Sequence, residues 1–202
     1  MSESSIVAET AARIFADLAD PQEINRAKDG AWKAPLWQAL AESGLTLAWV
    51  PEENGGAGAE LADGFAILGV AGRYAAAVPL AETLLAGWLL SRASLKAPEG
   101  AMSVAPARPS DKITLNADGT LSGQARGVPF AKEAKHLAVL AGPSVALVET
   151  KACPLNVPSA FSVILSPGRA GANDIGPSGA FNPARDKSQP ASRVSASGTA
   201  AA

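Results

Sequence analysis

The segment from Leu80 to Leu90 constrains this chain more than any other. It carries Leu80, Leu84, Leu85, Trp88 and Leu89 directly after Pro79, a residue suited to a helix start. A helix drawn there is apolar around most of its circumference, so it must be covered on several sides. A bundle with this helix at its centre meets that demand. The wider apolar stretch from Phe65 to Leu90 is interrupted by Arg73 and Glu82. No run reaches the roughly 18 to 20 apolar residues of a membrane span.

Three further helical segments precede it. Ile6, Val7, Ile14, Phe15 and Leu18 follow a helical period that stops at Asp20-Pro21. A second helix has Pro35 in its first turn, buries Leu36, Trp37 and Leu40, and is expected to end at Gly44. After the apolar run Leu45 to Val50 comes a loop, Pro51 to Gly58. A third helix follows, with Leu61, Phe65, Leu68 and Gly72 expected on its buried stripe. Pro98-Glu99-Gly100 closes the helical block.

The texture then changes. Met102–Ala105, Lys112–Leu115, Thr120–Ser122, Leu137–Ala141 and Val145–Glu149 read as strands. Asn116 to Gly119 and Gly142-Pro143-Ser144 read as hairpin turns between them. From Lys151 onward Ala, Ser, Pro and Gly dominate, and such composition buries too little apolar surface to offset chain ordering. One short strand, Phe161 to Leu165, is the exception. The expected fold class is α+β: an N-terminal all-α bundle over 1–97, a partial antiparallel β domain over 101–150, and a mostly disordered tail over 151–202.

Charge and rare residues narrow the chemistry. A net charge of −2 gives no field for a nucleic-acid backbone or an anionic membrane. One Cys and one His exclude an internal disulfide framework, a multi-Cys centre and a His–His metal site. The N-terminus, Met1-Ser2-Glu3-Ser4-Ser5, shows no basic export signal, so a cytoplasmic protein is expected.

Several residues are candidates for function. Gly55-Gly56-Ala57-Gly58 can cradle a phosphate with backbone N–H groups or serve close packing. Leu61 stands where a dinucleotide fingerprint needs its third glycine, which favours packing. Glu52 and Glu53 are adjacent carboxylates, expected to be solvated. His136 at a strand edge reads as structural, Cys153 as a free thiol, and Trp32, Trp37, Trp49 and Trp88 as core. On these residues alone no catalytic group and no metal site is expected.

Longer motifs add a resemblance. Leu36 to Leu45, Val50-Pro51-Glu52-Glu53-Asn54-Gly55-Gly56-Ala57-Gly58, Gly72-Arg73 and Pro79 to Ala86 resemble the N-terminal helical domain of acyl-CoA dehydrogenases. Asp118 to Gly123, Val128-Pro129-Phe130-Ala131 and His136 to Leu140 resemble the start of that family's middle β domain. The resemblance spans about 10–150. It implies FAD and α,β-dehydrogenation of an acyl-CoA to a trans-2-enoyl-CoA: a carboxylate base takes the Cα proton while a hydride leaves Cβ for the flavin. It also implies electron transfer to an electron-transferring flavoprotein.

The family's base lies in a C-terminal helical domain, which this chain replaces with the 151–202 stretch. The family's flavin loop is not recognisable in Ser103 to Pro106. Gly127-Val128-Pro129 stands where relatives carry a Trp-x-Thr-type stretch, so Val128 alone is carried over as a flavin contact. The chain is therefore expected to be incomplete and inactive by itself, with Glu82 and Glu133 the first residues to test should it turn over. The break near Lys151-Ala152-Cys153 suggests a reading-frame change, which translation of the other two frames tests. Without the C-terminal helices, apolar surface on the 80–90 helix is expected to stay uncovered and to drive self-association or pairing with a partner subunit. The alternative is a non-catalytic helical scaffold subunit of a complete dehydrogenase.

Overall fold

Phe15, Leu36 and Leu40 have no solvent exposure, and the helices that carry them pack around one another. In the computed structural model, which describes residues 4–27, 29–117, 119–152, 155–156, 162–164 and 171–174, five α-helices come first. These are α1 (Ser4–Leu18), α2 (Pro21–Arg26), α3 (Lys33–Glu42), α4 (Leu61–Tyr74) and α5 (Leu80–Arg92). Pro21 ends one helix and opens the next, since a proline at a first turn loses no hydrogen bond. Gly44 follows α3 in the left-handed region at φ 70°, as expected from its position.

The buried side of α4 differs from the expected stripe. Gly64, Ile67 and Val70 face inward, while Leu61 and Phe65 are exposed, Phe65 at 63%. The cause is Trp49. Its indole occupies the space beside Gly64, where a Cβ would come within 2.0 Å of Nε1. The helix therefore turns its glycine, and not its large residues, toward the indole, and Phe65 packs edge-on to the outer side of Trp49.

Among the described residues eight strands follow: β1 (Met102–Ala105), β2 (Ile113–Leu115), β3 (Leu121–Arg126), β4 (His136–Ala141), β5 (Ser144–Glu149), β6 (Leu155–Asn156), β7 (Ser162–Ile164) and β8 (Gly171–Asp174). They form two sheets, ordered β1-β4-β5-β8 and β2-β3-β7-β6. Both expected hairpins are present, in β2–β3 and β4–β5. The pairing is antiparallel except for β1–β4, which is parallel. The β2–β3 hairpin and the 127–135 segment return the chain to the starting end of β1, so β4 runs alongside it in the same direction. The strand expected at 161–165 is described as β7, and β6 and β8 add two strands that composition does not suggest. Cys153 and residues 175–202 lie outside the described residues.

β4 explains how the layers fit. Leu137, Val139 and Ala141 pack into a core shared with β2 and β3, while Ala138 and Leu140 pack with α5. The alternation is the two-residue period of a strand buried on both faces, hence the unbroken apolar run. Along α5, Leu80 and Leu84 enter the helical core, and Ala86, Leu89 and Leu90 enter the core shared with Met102, Ala138 and Val145. The surface expected to stay uncovered on α5 is therefore smaller than the sequence suggested. The sheet covers the helix, and Leu85, 41% exposed, is the large apolar residue it leaves out.

Candidate functional site

Thr83, in the first turn of α5, fixes how helix and sheet meet. Its buried hydroxyl lies 2.6 Å from the Pro79 carbonyl, to which it donates, and accepts the Met102 N–H at 3.0 Å, with the Met102 carbonyl at 3.2 Å. Helix start and strand start are thereby joined through one side chain. A second clasp lies at the next residue of β1: the Ser103 hydroxyl donates to the Pro129 carbonyl at 2.7 Å. β1 is thus tied to α5 on one side and to the 127–129 segment on the other.

Between these clasps is a cavity of about 350 Å³ lined by Ala81, Glu82, Leu85, Val104, Pro106, Ala107 and Pro129. That volume is at the lower end of the roughly 300–1,000 Å³ of small-molecule sites. The wall is carbon apart from Glu82, and its two prolines have no N–H to donate. Burial pushes the Glu82 carboxyl above the ordinary 4.5, opposed by the residue's own backbone N–H.

Val128 lies between Gly127 and Pro129 with its side chain fully buried in the β core. What it can offer to a ligand is main chain. The Arg108 guanidinium packs over Gly127, and Lys112 and Arg126 line a polar cavity with Ser110, Asp111 and Gln124 beyond it. Asp111 accepts the Arg126 backbone N–H, which holds this loop against β3.

The glycine loop has a different character. The N–H groups of Gly55, Gly56, Ala57 and Gly58 donate to the carbonyls of Glu52, Pro51, Leu47 and Val50. A Cβ on Gly56 would sit 2.1 Å from the Val50 oxygen. The loop is closed on itself by packing and cradles nothing. Glu52 and Glu53 beside it are exposed.

The remaining candidates are structural or apart. His136 opens β4 between Met102 of β1 and Glu149 of β5, half-buried, with Nδ1 lacking a hydrogen-bond partner. Glu133 pairs with Lys33 at 3.4 Å across the helix–sheet boundary, away from the Glu82 cavity. Trp32, Trp37 and Trp49 pack on the helical core and Trp88 on the α5–sheet core, as expected. Among the described residues no cluster of three or more His, Cys, Asp or Glu offers a metal site, and no helix is long and apolar enough to cross a membrane. The sequence marked Glu82 as an interruption of an apolar stretch and, with Glu133, as a first residue to test for a base; the cavity it borders was not visible there.

Residues 1–96 match the model of the acyl-CoA dehydrogenase N-terminal domain. Acyl-CoA dehydrogenase IpdE2 of Mycobacterium tuberculosis is 31% identical over 124 residues, which is 60% of this chain and 39% of that protein. Among solved structures, a variant of the Tcur3481-Tcur3483 steroid ACAD superposes with TM-score 0.65 at 28% identity, over 87% of this chain and 57% of that one. An acyl-CoA dehydrogenase complexed with FAD from Bacillus anthracis shares the fold at TM-score 0.57 and 21% identity, over 86% of this chain and 37% of that one. The chain thus spans well under two thirds of the relatives it matches.

Proposed function

We propose that this chain, whose residues 1–96 match the acyl-CoA dehydrogenase N-terminal domain, supplies one wall of a flavin-dependent acyl-CoA dehydrogenation site, at the α5–β1 cavity. The carrying observation is the cavity itself, held open between the Thr83 and Ser103 clasps and walled by carbon. Such a wall suits a flat ring or an acyl chain, and it has no donors for phosphate. Its volume takes one ring system of FAD and not the dinucleotide. The adjoining Arg108, Lys112 and Arg126 supply the positive charge that a diphosphate needs, and the Val128 main chain borders the same segment. When bound, the flavin supplies the hydride acceptor; the chain's own residues position the ring, exclude water from it and hold a proton at Glu82.

The reading includes a partner. The described residues bring a single carboxyl to the cavity, and the Cα proton of an acyl thioester needs a base placed against it. We assign that base to another subunit or segment and expect no acyl-CoA oxidation by the isolated chain. Exposed Leu61, Phe65 and Leu85 offer apolar surface for such an assembly, as homo- or hetero-oligomer. A scaffold subunit that binds no flavin is the second reading, favoured by the two prolines that withhold N–H groups from the cavity. Purification followed by flavin release and acyl-CoA-dependent dye reduction tests both. Bound FAD supports the first reading, and a colourless chain that takes up no FAD supports the second.

A further inference from the structure

A second cavity, of about 390 Å³, lies where the start of α3 meets the sheet and shares no lining residue with the α5–β1 cavity. Ala34, Trp37, Val78, Pro79 and Ala101 form its apolar wall. Lys33 from α3, with Glu133 and Lys135 from the segment leading into β4, brings charge to it. We propose that this cavity binds a monocarboxylate with an apolar body, the two lysines meeting the carboxylate oxygens. The inference does not depend on the flavin reading.

Both lysines are placed by a glycine of the cavity wall. The Lys33 stem runs past Gly30, where an added Cβ would lie 3.8 Å from Cδ and from Cε. Lys135 lies closer over Gly100, where a Cβ would come within 3.1 Å of Cδ and 3.6 Å of Nζ. Both glycines have positive φ, 72° and 99°, which disfavours any side chain at either place. The main chain of each lysine is fixed as well. The Lys33 N–H donates to the Gly30 carbonyl at 3.0 Å, and the Lys135 N–H to the Ala101 carbonyl at 2.8 Å. Two ammonium groups thus stand at one apolar wall before a ligand arrives, which lowers the ordering cost of binding.

The charge count selects the ligand. Glu133 Oε1 lies 3.4 Å from Lys33 Nζ, and among the described residues no carboxylate pairs with Lys135. Two ammonium groups against one carboxylate leave one positive charge at the cavity, which matches a monoanion and not a phosphate dianion. The wall selects the rest of the molecule, because an apolar body placed on Trp37, Val78 and Pro79 leaves water. A neutral alcohol gains the wall without the charge, and a small inorganic anion gains the charge without the wall. Glu133 competes with the incoming carboxylate for Lys33 and repels it, so it weakens the site it borders.

The test is NMR titration of the full-length chain with hexanoate and with 1-hexanol, read at the Trp37 indole N–H. Hexanoate is expected to bind about tenfold more tightly than hexanol. K135Q should weaken hexanoate by about fivefold, the scale of one partly exposed charge contact. E133Q removes the competing carboxylate and should tighten hexanoate by a similar factor. Hexanol should respond to neither variant. A34W, at an exposed position of α3, fills the cavity and should abolish binding of both ligands. The proposal is overturned by equal affinity for the two ligands, or by no saturable binding of hexanoate to the wild type. Hexanoate affinity unchanged in K135Q or A34W, or not raised in E133Q, overturns it as well.

Discussion

The glycine loop at 55–58 and the α5–β1 cavity are built on opposite principles. In the loop every backbone N–H from Asn54 to Ala59 is spent on a carbonyl earlier in the chain, and at Gly56 the space a side chain would fill is occupied. At the cavity the backbone is held by two side-chain hydroxyls, Thr83 and Ser103, and the space is left open. A segment that satisfies itself completely is scaffold, however much its glycines suggest a phosphate. A gap kept open by hydrogen bonds at its edges, with one carboxyl on its wall, has binding capacity left over.

Substitutions can break that contrast. The largest effect is expected from Gly56→Ala. The new methyl meets the Val50 carbonyl, which cannot move without undoing the loop. A loss of about 3 kcal/mol is expected from such overpacking, read as a fall in the denaturant midpoint. A change of less than about 0.5 kcal/mol would show that the loop is loose and its donors available.

Next is Thr83→Val, which keeps the shape and removes the hydroxyl. The buried Met102 N–H loses its acceptor, at a cost of about 1–3 kcal/mol. Ligand affinity at the cavity should fall with it. Unchanged stability would mean that α5 and β1 do not depend on this clasp.

A smaller effect is expected from Glu82→Gln, and it depends on pH. The folded carboxyl titrates above its ordinary 4.5 because of burial. The folded state therefore binds more protons than the unfolded state between the two values, and stability from this group is fully present below 4.5 and lost as pH rises through the raised value. Melting temperature relative to E82Q should drop across that window and be level on either side. Parallel curves for the two proteins would remove the burial argument. The least effect, about 0.5 kcal/mol or less, belongs to Lys33→Ala, whose pair with Glu133 is partly exposed.

Where large residues carry the signal, the sequence is a good guide. Pro79 and the leucines after it mark α5, and the Gly142-Pro143 turn marks the β4–β5 hairpin. The buried side of α4 was hidden because Gly64 contributes by having no side chain, and the indole that fills its place comes from Trp49, 15 positions earlier in the chain. The parallel β1–β4 pairing was hidden for a related reason: it joins residues 34 apart, Met102 to His136, and local periodicity has no access to such a partner. The candidate site was half legible. Val128 was singled out, though its side chain belongs to the core. Glu82 and its cavity depend on α5, β1 and the 127–129 segment meeting in space, which spacing along one segment does not reveal.

The account's central claim is that binding capacity resides in the α5–β1 cavity and not in the glycine loop. Equilibrium binding of FAD, followed by quenching of flavin fluorescence, tests it with two variants of the full-length chain. Gly55→Asn alters the loop at a left-handed position that asparagine tolerates, where no atom lies within 4 Å. Ala81→Trp fills the cavity from the exposed side of α5. The account predicts wild-type affinity for Gly55→Asn and loss of binding for Ala81→Trp. Loss of FAD by the loop variant, with binding retained by the filled cavity, would contradict it.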